Sequence, residues 1–129
     1  MIQSLNFMRT VSEVLGQVQS VPDFSGHTVD TVNYRNGYGD TPLHIVANWG
    51  DCEAIRLLVE AGADINAIGE SGFTPLHCAA EQDHEAAVRL LLALGARIEK
   101  DEGGDTALEL AKLLSNSNAM RGFEESSGR

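Results

Sequence analysis

The chain has 129 residues, 43% hydrophobic and only 5% aromatic, enough for one domain whose continuous core is filled by small aliphatic side chains. Nineteen Asp and Glu against nine Lys and Arg give a formal net charge of −10. That balance excludes the positive footprint needed by direct ligands such as nucleic acid or an anionic membrane, and points to a basic partner or simply to solubility.

In chain order, residues 4–19 read as an amphipathic helix, with Leu5, Met8, Val11, Leu15 and Val18 at steps of three and four. Pro22, Ser25 and Gly26 follow, in a pattern that refuses a second helix. Residues 1–30 are therefore expected to form a capping helix and an extended leader, Val21 to Asp30. From there the sequence repeats. Thr41-Pro42-Leu43-His44 returns as Thr74-Pro75-Leu76-His77 after 33 residues, and Ala61 to Asn66 is answered by Leu94 to Glu99 on the same step. Thr106-Ala107-Leu108-Glu109 is a degraded third copy, one residue early. A period of this length marks a stacked array, in which no unit buries its apolar face alone.

Within each unit the threonine suits a helix N-cap and the proline suits the first helical position. A second helix is expected from about Glu53 to Ala61 and again from Glu85 to Leu94, with Ile55, Leu58 and Val59 matched by Val88, Leu91 and Leu92. Gly62 and Gly95 stand where left-handed C-caps are needed. Residues 67–73 and 100–105 read as turns. Ala107 to Leu114 makes a last helix, Ser115 to Asn118 breaks it, and Ala119 to Phe123 adds one more turn. The repeats thus occupy 31–123, and 124–129 reads as a disordered tail.

Gly72 to Ala80 (Gly-Phe-Thr-Pro-Leu-His-Cys-Ala-Ala) and Gly62 to Ala67 (Gly-Ala-Asp-Ile-Asn-Ala) resemble the ankyrin repeat over roughly Val32 to Leu114. Departures are Val46 for Ala, Asp83 for Gly, Arg97 and Glu99 in the third exit, and Ala107 for Pro. The resemblance implies an all-α ankyrin solenoid of about three repeats behind an N-terminal capping helix. It implies that His44 and His77 are structural and bond to backbone near their own turns. It also implies a partner-binding face built from turn tips and the exposed side of each short helix. Carried over residue by residue, that face comprises Arg35, Tyr38, Asp40, Asn48 and Trp49, then Ile68, Glu70, Ser71, Phe73, Glu81 and Gln82, then Glu102 and Asp105.

Catalysis and metal binding find no support. Neighbouring helix residues His77 and Cys78 point about 100° apart, no Cys-x-x-Cys or His-x-x-x-His spacing occurs, and Asp101 to Asp105 lacks the distal Glu of a calcium loop. No cofactor is expected. Two unspaced cysteines, Cys52 and Cys78, suggest a reducing compartment. The N-terminus lacks a signal-peptide pattern, and the longest apolar run, Leu90 to Leu94, is too short for a bilayer, so the expected location is cytoplasmic. The expected function is non-catalytic binding of another protein, basic in charge, by a chain monomeric when free. Small bacterial ankyrin proteins of this size resemble immunity proteins that neutralise toxic nucleases. A scaffold or assembly subunit is the alternative.

Overall fold

A computed structural model describes residues 9–24, 26, 29 and 31–126. Among these residues there are seven α-helices and no strand. Helix α1 is Val11–Gln19. Three pairs follow: α2 (Pro42–Trp49) with α3 (Cys52–Glu60), α4 (Pro75–Glu81) with α5 (Glu85–Ala93), and α6 (Ala107–Leu113) with α7 (Ser117–Ser126). First helices pack on first helices and second on second, so α2, α4 and α6 form one layer and α3, α5 and α7 the other.

Local chemistry starts and stops each helix. Thr74 Oγ1 accepts the His77 amide at 3.3 Å while His77 Nδ1 accepts the Thr74 amide at 3.2 Å, a reciprocal cap over two otherwise orphaned donors. Thr106 and Glu109 do the same for α6, at 3.2 and 2.9 Å. Each first helix ends in a left-handed residue: Gly50, Asp83 and Ser115, with φ of +70°, +63° and +60°. Glycine is obligatory at the first of these. A Cβ on Gly50 would fall 2.6 Å from the His84 ring. At Asp83 the following repeat presents the smaller Asn116, and the Asp83 carboxylate anchors the start of α7 by accepting from Asn118 Nδ2 (2.9 Å) and Ala119 N (2.8 Å).

The core runs between the layers. Ile55 and Leu58 of α3 and Val88 and Leu91 of α5 are fully buried, and Val59 and Leu92 half-buried beside them. Ala54, Ala87 and Ala119 occupy one position in three successive second helices, all without exposed surface. The small side chain lets the helices approach.

Three expectations need correction. The N-terminal helix does not run through residues 9 and 10. It begins at Val11, because Thr10 and Glu13 form a capping box (3.1 and 2.8 Å) that terminates it. Leu5 and Met8 lie outside the described residues. What remains packs on α2 and α3 with Val14 and Val18 fully buried. The leader is not extended throughout: Pro22–Phe24 is a 3₁₀ turn, and it drives Phe24 wholly into the core. Finally, α7 is a full second helix through Ser126, not a single turn, so residues 124–126 are helical. Gly122 allows this, since a Cβ there would meet Glu85 O and Val88 at 2.8 Å.

Candidate functional site

The candidate surface is built on turns tied to one another. Asn36 Oδ1 accepts the amides of Tyr38 (2.9 Å) and Asp40 (3.0 Å), and Asp101 Oδ1 serves Gly103 (2.9 Å) and Asp105 (3.0 Å) in the same way. The middle turn has Gly69 at that position. There Asp40 reaches across from the first turn and accepts the Glu70 amide at 3.0 Å, in space that a Cβ on Gly69 would occupy. Arg35 Nη1 donates to the carbonyls of Gly39 (2.7 Å) and Ile68 (2.8 Å), clamping the first turn to the second. The Glu102 amide donates to Ser71 O at 3.0 Å, joining second to third. Arg35 and Asp40, expected to face a partner, are thus also structural.

The repeated histidines do more than bond near their own turns. His44 Nδ1 accepts the Thr41 amide (3.0 Å), which fixes the proton on Nε2, and Nε2 donates to Phe73 O (2.9 Å) in the next repeat. His77 repeats the pattern, from the Thr74 amide to Asp105 O at 2.9 Å. Burial holds the His44 imidazole below its ordinary pKa, so it stays neutral. A second line of bonds runs the other way. His84 Nε2 donates back to Asn48 O (2.8 Å), and Asn116 Nδ2 donates back to Ala80 O (2.9 Å) and Glu81 O (2.8 Å).

Between the first two repeats lies a concavity of about 280 Å³ lined by Asp40, Asn48, Glu70, Ser71, Phe73, Cys78 and Glu81. It gathers six of the expected site residues. Phe73 is half-buried and stacks on His77 at 5.1 Å, which makes it floor rather than anchor. Cys78 is the lining residue the sequence reading missed: its thiol is buried, and burial pushes its pKa up, away from nucleophilic use. Arg35, Tyr38, Trp49, Ile68, Gln82 and Glu102 lie outside this lining, all exposed. Asp105 belongs to a second concavity, about 360 Å³, shared with Glu109, Lys112 and Leu113. Lys112 and Leu113 were absent from the expected face. The step of 32 between the second and third repeats would have found Leu113, because it sets Leu113 and Leu114 in register with Glu81 and Gln82; Lys112 aligns with the buried Ala80 and carried no such signal.

Charge is distributed unevenly. Among the described residues no cation pairs with Asp40, Glu70 or Glu81. Arg9 instead binds Asp51 (2.6 Å) and Glu53 (2.7 Å), Arg89 and Arg121 bind Glu85 (2.7 and 3.4 Å), and Arg97 binds Glu99 (3.0 Å).

A family model described as ankyrin repeats (3 copies) matches residues 8–102 and 68–122. The chain belongs to the ankyrin repeat family. A protein of Rickettsia bellii (strain RML369-C) described as an ankyrin repeat protein is 42% identical over 48 residues, 35% of this chain, and the match spans 29% of that relative's length. Ankyrin repeats are protein-interaction modules, and the histidine bonds above are what join this ankyrin stack. Among the described residues no helix is long and apolar enough to cross a membrane, and no group of three His, Cys, Asp or Glu is placed to hold a metal.

Proposed function

We propose that this ankyrin stack is a non-catalytic binder whose inner face engages a basic protein and antagonises it, as an immunity protein covers the nucleic-acid site of a toxic nuclease. One observation carries the reading. The concavity between the first two repeats presents Asp40, Glu70 and Glu81 with no cationic partner among the described residues, on a chain of net charge −10. Carboxylates without a cationic partner on a pre-formed surface steer a basic partner into encounter, and apolar side chains nearby hold it once docked. The scaffold alternative draws on Leu113 and Leu114, 69% and 47% exposed, which suit a neutral apolar partner.

Binding kinetics across salt concentrations separate the two. Under the antagonist reading, Glu70→Lys or Glu81→Lys lowers the association rate, most strongly at low salt. Trp49→Ala raises the dissociation rate at a cost of about 2 kcal/mol, and binding and inhibition fail together. Salt-insensitive association with a neutral partner, unchanged by Trp49→Ala, would leave the scaffold reading standing.

A further inference from the structure

Two positions of the repeat set the concavity between the first two repeats apart. One reads Ile45, Cys78 and Leu110 at steps of 33 and 32, so the smallest of the three side chains falls in the second repeat. The hollow of about 280 Å³ is lined by it. Cys78 is 5% exposed, and its thiol has no hydrogen-bond partner among the described residues. Burial, with the Asp40 and Glu81 carboxylates adding to it, pushes the thiol pKa up and keeps it neutral. The other position reads Asp40, Phe73 and Asp105, each just before a capping threonine. The one aromatic of that set therefore neighbours Asp40 across the stack, and His77 stacks on its ring at 5.1 Å. Asp40 Oδ1 also holds the Glu70 amide at 3.0 Å. A ring and two acidic residues thus gather at the turn end of the hollow. Glu81 stands at the other end, where the seven-residue α4 stops about 10 Å further on.

Size and chemistry together select one kind of group. The hollow is smaller than the sites of about 300–1,000 Å³ that enclose small molecules, and a helix about 10 Å across cannot enter it. One long side chain can. Carboxylates with no cationic partner among the described residues favour a positive head. An aromatic ring among them favours guanidinium over ammonium, because the planar, weakly hydrated ion stacks on the ring while its fork of donors reaches more than one carboxylate. The Cys78 sulfur is a weak acceptor that lacks a donor. We infer that the concavity is a socket for a single arginine side chain of the partner. The guanidinium lies on Phe73 between Asp40 and Glu70, the aliphatic stem and its Nε–H cross Cys78, and Glu81 stands at the entrance beside the partner's main chain. This inference rests on the proposal that the face takes a basic protein, and it names the side chain that is taken.

The probe is an end-blocked pentapeptide with one arginine between two pairs of glycines, titrated at low salt against isotope-labelled protein. Amide resonances of Glu70, Phe73 and Cys78 are expected to shift together. Citrulline in place of arginine keeps the shape and loses the charge, and should weaken binding about tenfold. Lysine in its place should bind severalfold more weakly. Cys78→Leu tests the hollow itself. It brings in the side chain of the third repeat and leaves every carboxylate in place, so the arginine peptide should bind about tenfold more weakly. Polylysine, which reads the whole acidic surface, should stay within about twofold. Should Cys78→Leu melt below the parent, Asn48→Leu fills the rim instead, as Leu113 does at the matching place in the third repeat, and is judged by the same two ratios. An arginine peptide held as tightly by the filled variant, or a lysine peptide held as tightly as the arginine one, would overturn the socket. Salt-dependent polylysine binding that is lost in Glu81→Lys would then keep the acidic-face reading. If neither the arginine peptide nor polylysine binds, both readings fall.

Discussion

The first two repeats and the third treat one position in opposite ways. His44 and His77 are buried, cap their own helices with Nδ1, and spend Nε2 on a carbonyl of the following repeat. The equivalent Glu109 is exposed and caps only its own helix. The neighbouring position changes with it: Ala47 and Ala80 are fully buried against the next first helix, whereas Lys112 is exposed. A side chain with two opposed hydrogen-bonding ends serves where a repeat has neighbours on both sides. A charged one serves where the face meets solvent. The same Thr-x-x-x frame accommodates both, because the N-cap needs only an acceptor three residues on.

That contrast can be tested at decreasing strength. Leu58→Ala and Leu91→Ala, inside the first two repeats, should each cost about 2–5 kcal/mol in denaturant melts. Met120→Ala, half-buried at the third-repeat position that matches the fully buried Ile55 and Val88, should cost clearly less. Equal losses would erase the distinction between interior and end. His77→Ala should cost about 2–3 kcal/mol, since it removes a cap and leaves the Asp105 carbonyl without its donor. Glu109→Ala should shift the melt far less.

Acid should attack the interior first. His44 has a folded pKa depressed by burial, so the unfolded chain binds the proton more readily and stability falls as pH drops below about 6.5. The Glu109 carboxylate is held below its usual range chiefly by the Thr106 amide, so its contribution persists until pH falls below about 4.3. Melts from pH 7.5 to 5 should show the first loss, and His44→Gln should flatten it. The smallest effects are expected on the surface. Tyr38→Ala should move stability by less than about 1 kcal/mol, its side chain being 59% exposed, and Cys52→Ser should leave the melt unchanged.

Much of this was legible in the sequence, and for identifiable reasons. The 33-residue step fixed the helix pairs, and the matched triplets Ile55, Leu58, Val59 and Val88, Leu91, Leu92 announced the inner face of the second helices. The inter-repeat half of each histidine's bonding was not legible, since it depends on which carbonyl the stacking brings near. Phe24 was hidden because a lone aromatic after Pro22-Asp23 carries no periodicity. Helix α7 was missed because Ser115 to Asn118 favours turns by local propensity and Gly122 weakens a helix. Packing against α5 overrides both. The signal was present in the 32-residue step, which sets Ala119 on Ala87 and Phe123 on Leu91.

The two rows of cross-links carry a mechanical consequence. His44 and His77 pin the fronts of α2 and α4 to the turn ahead, while His84 and Asn116 pin their rears to the helix start of the repeat ahead. A joint fastened at one edge can swing like a door, but one fastened at both edges has no hinge axis left to turn about. The placing of each repeat on the next is therefore set before anything docks, and a partner meets a stiff template already ordered at folding rather than at encounter.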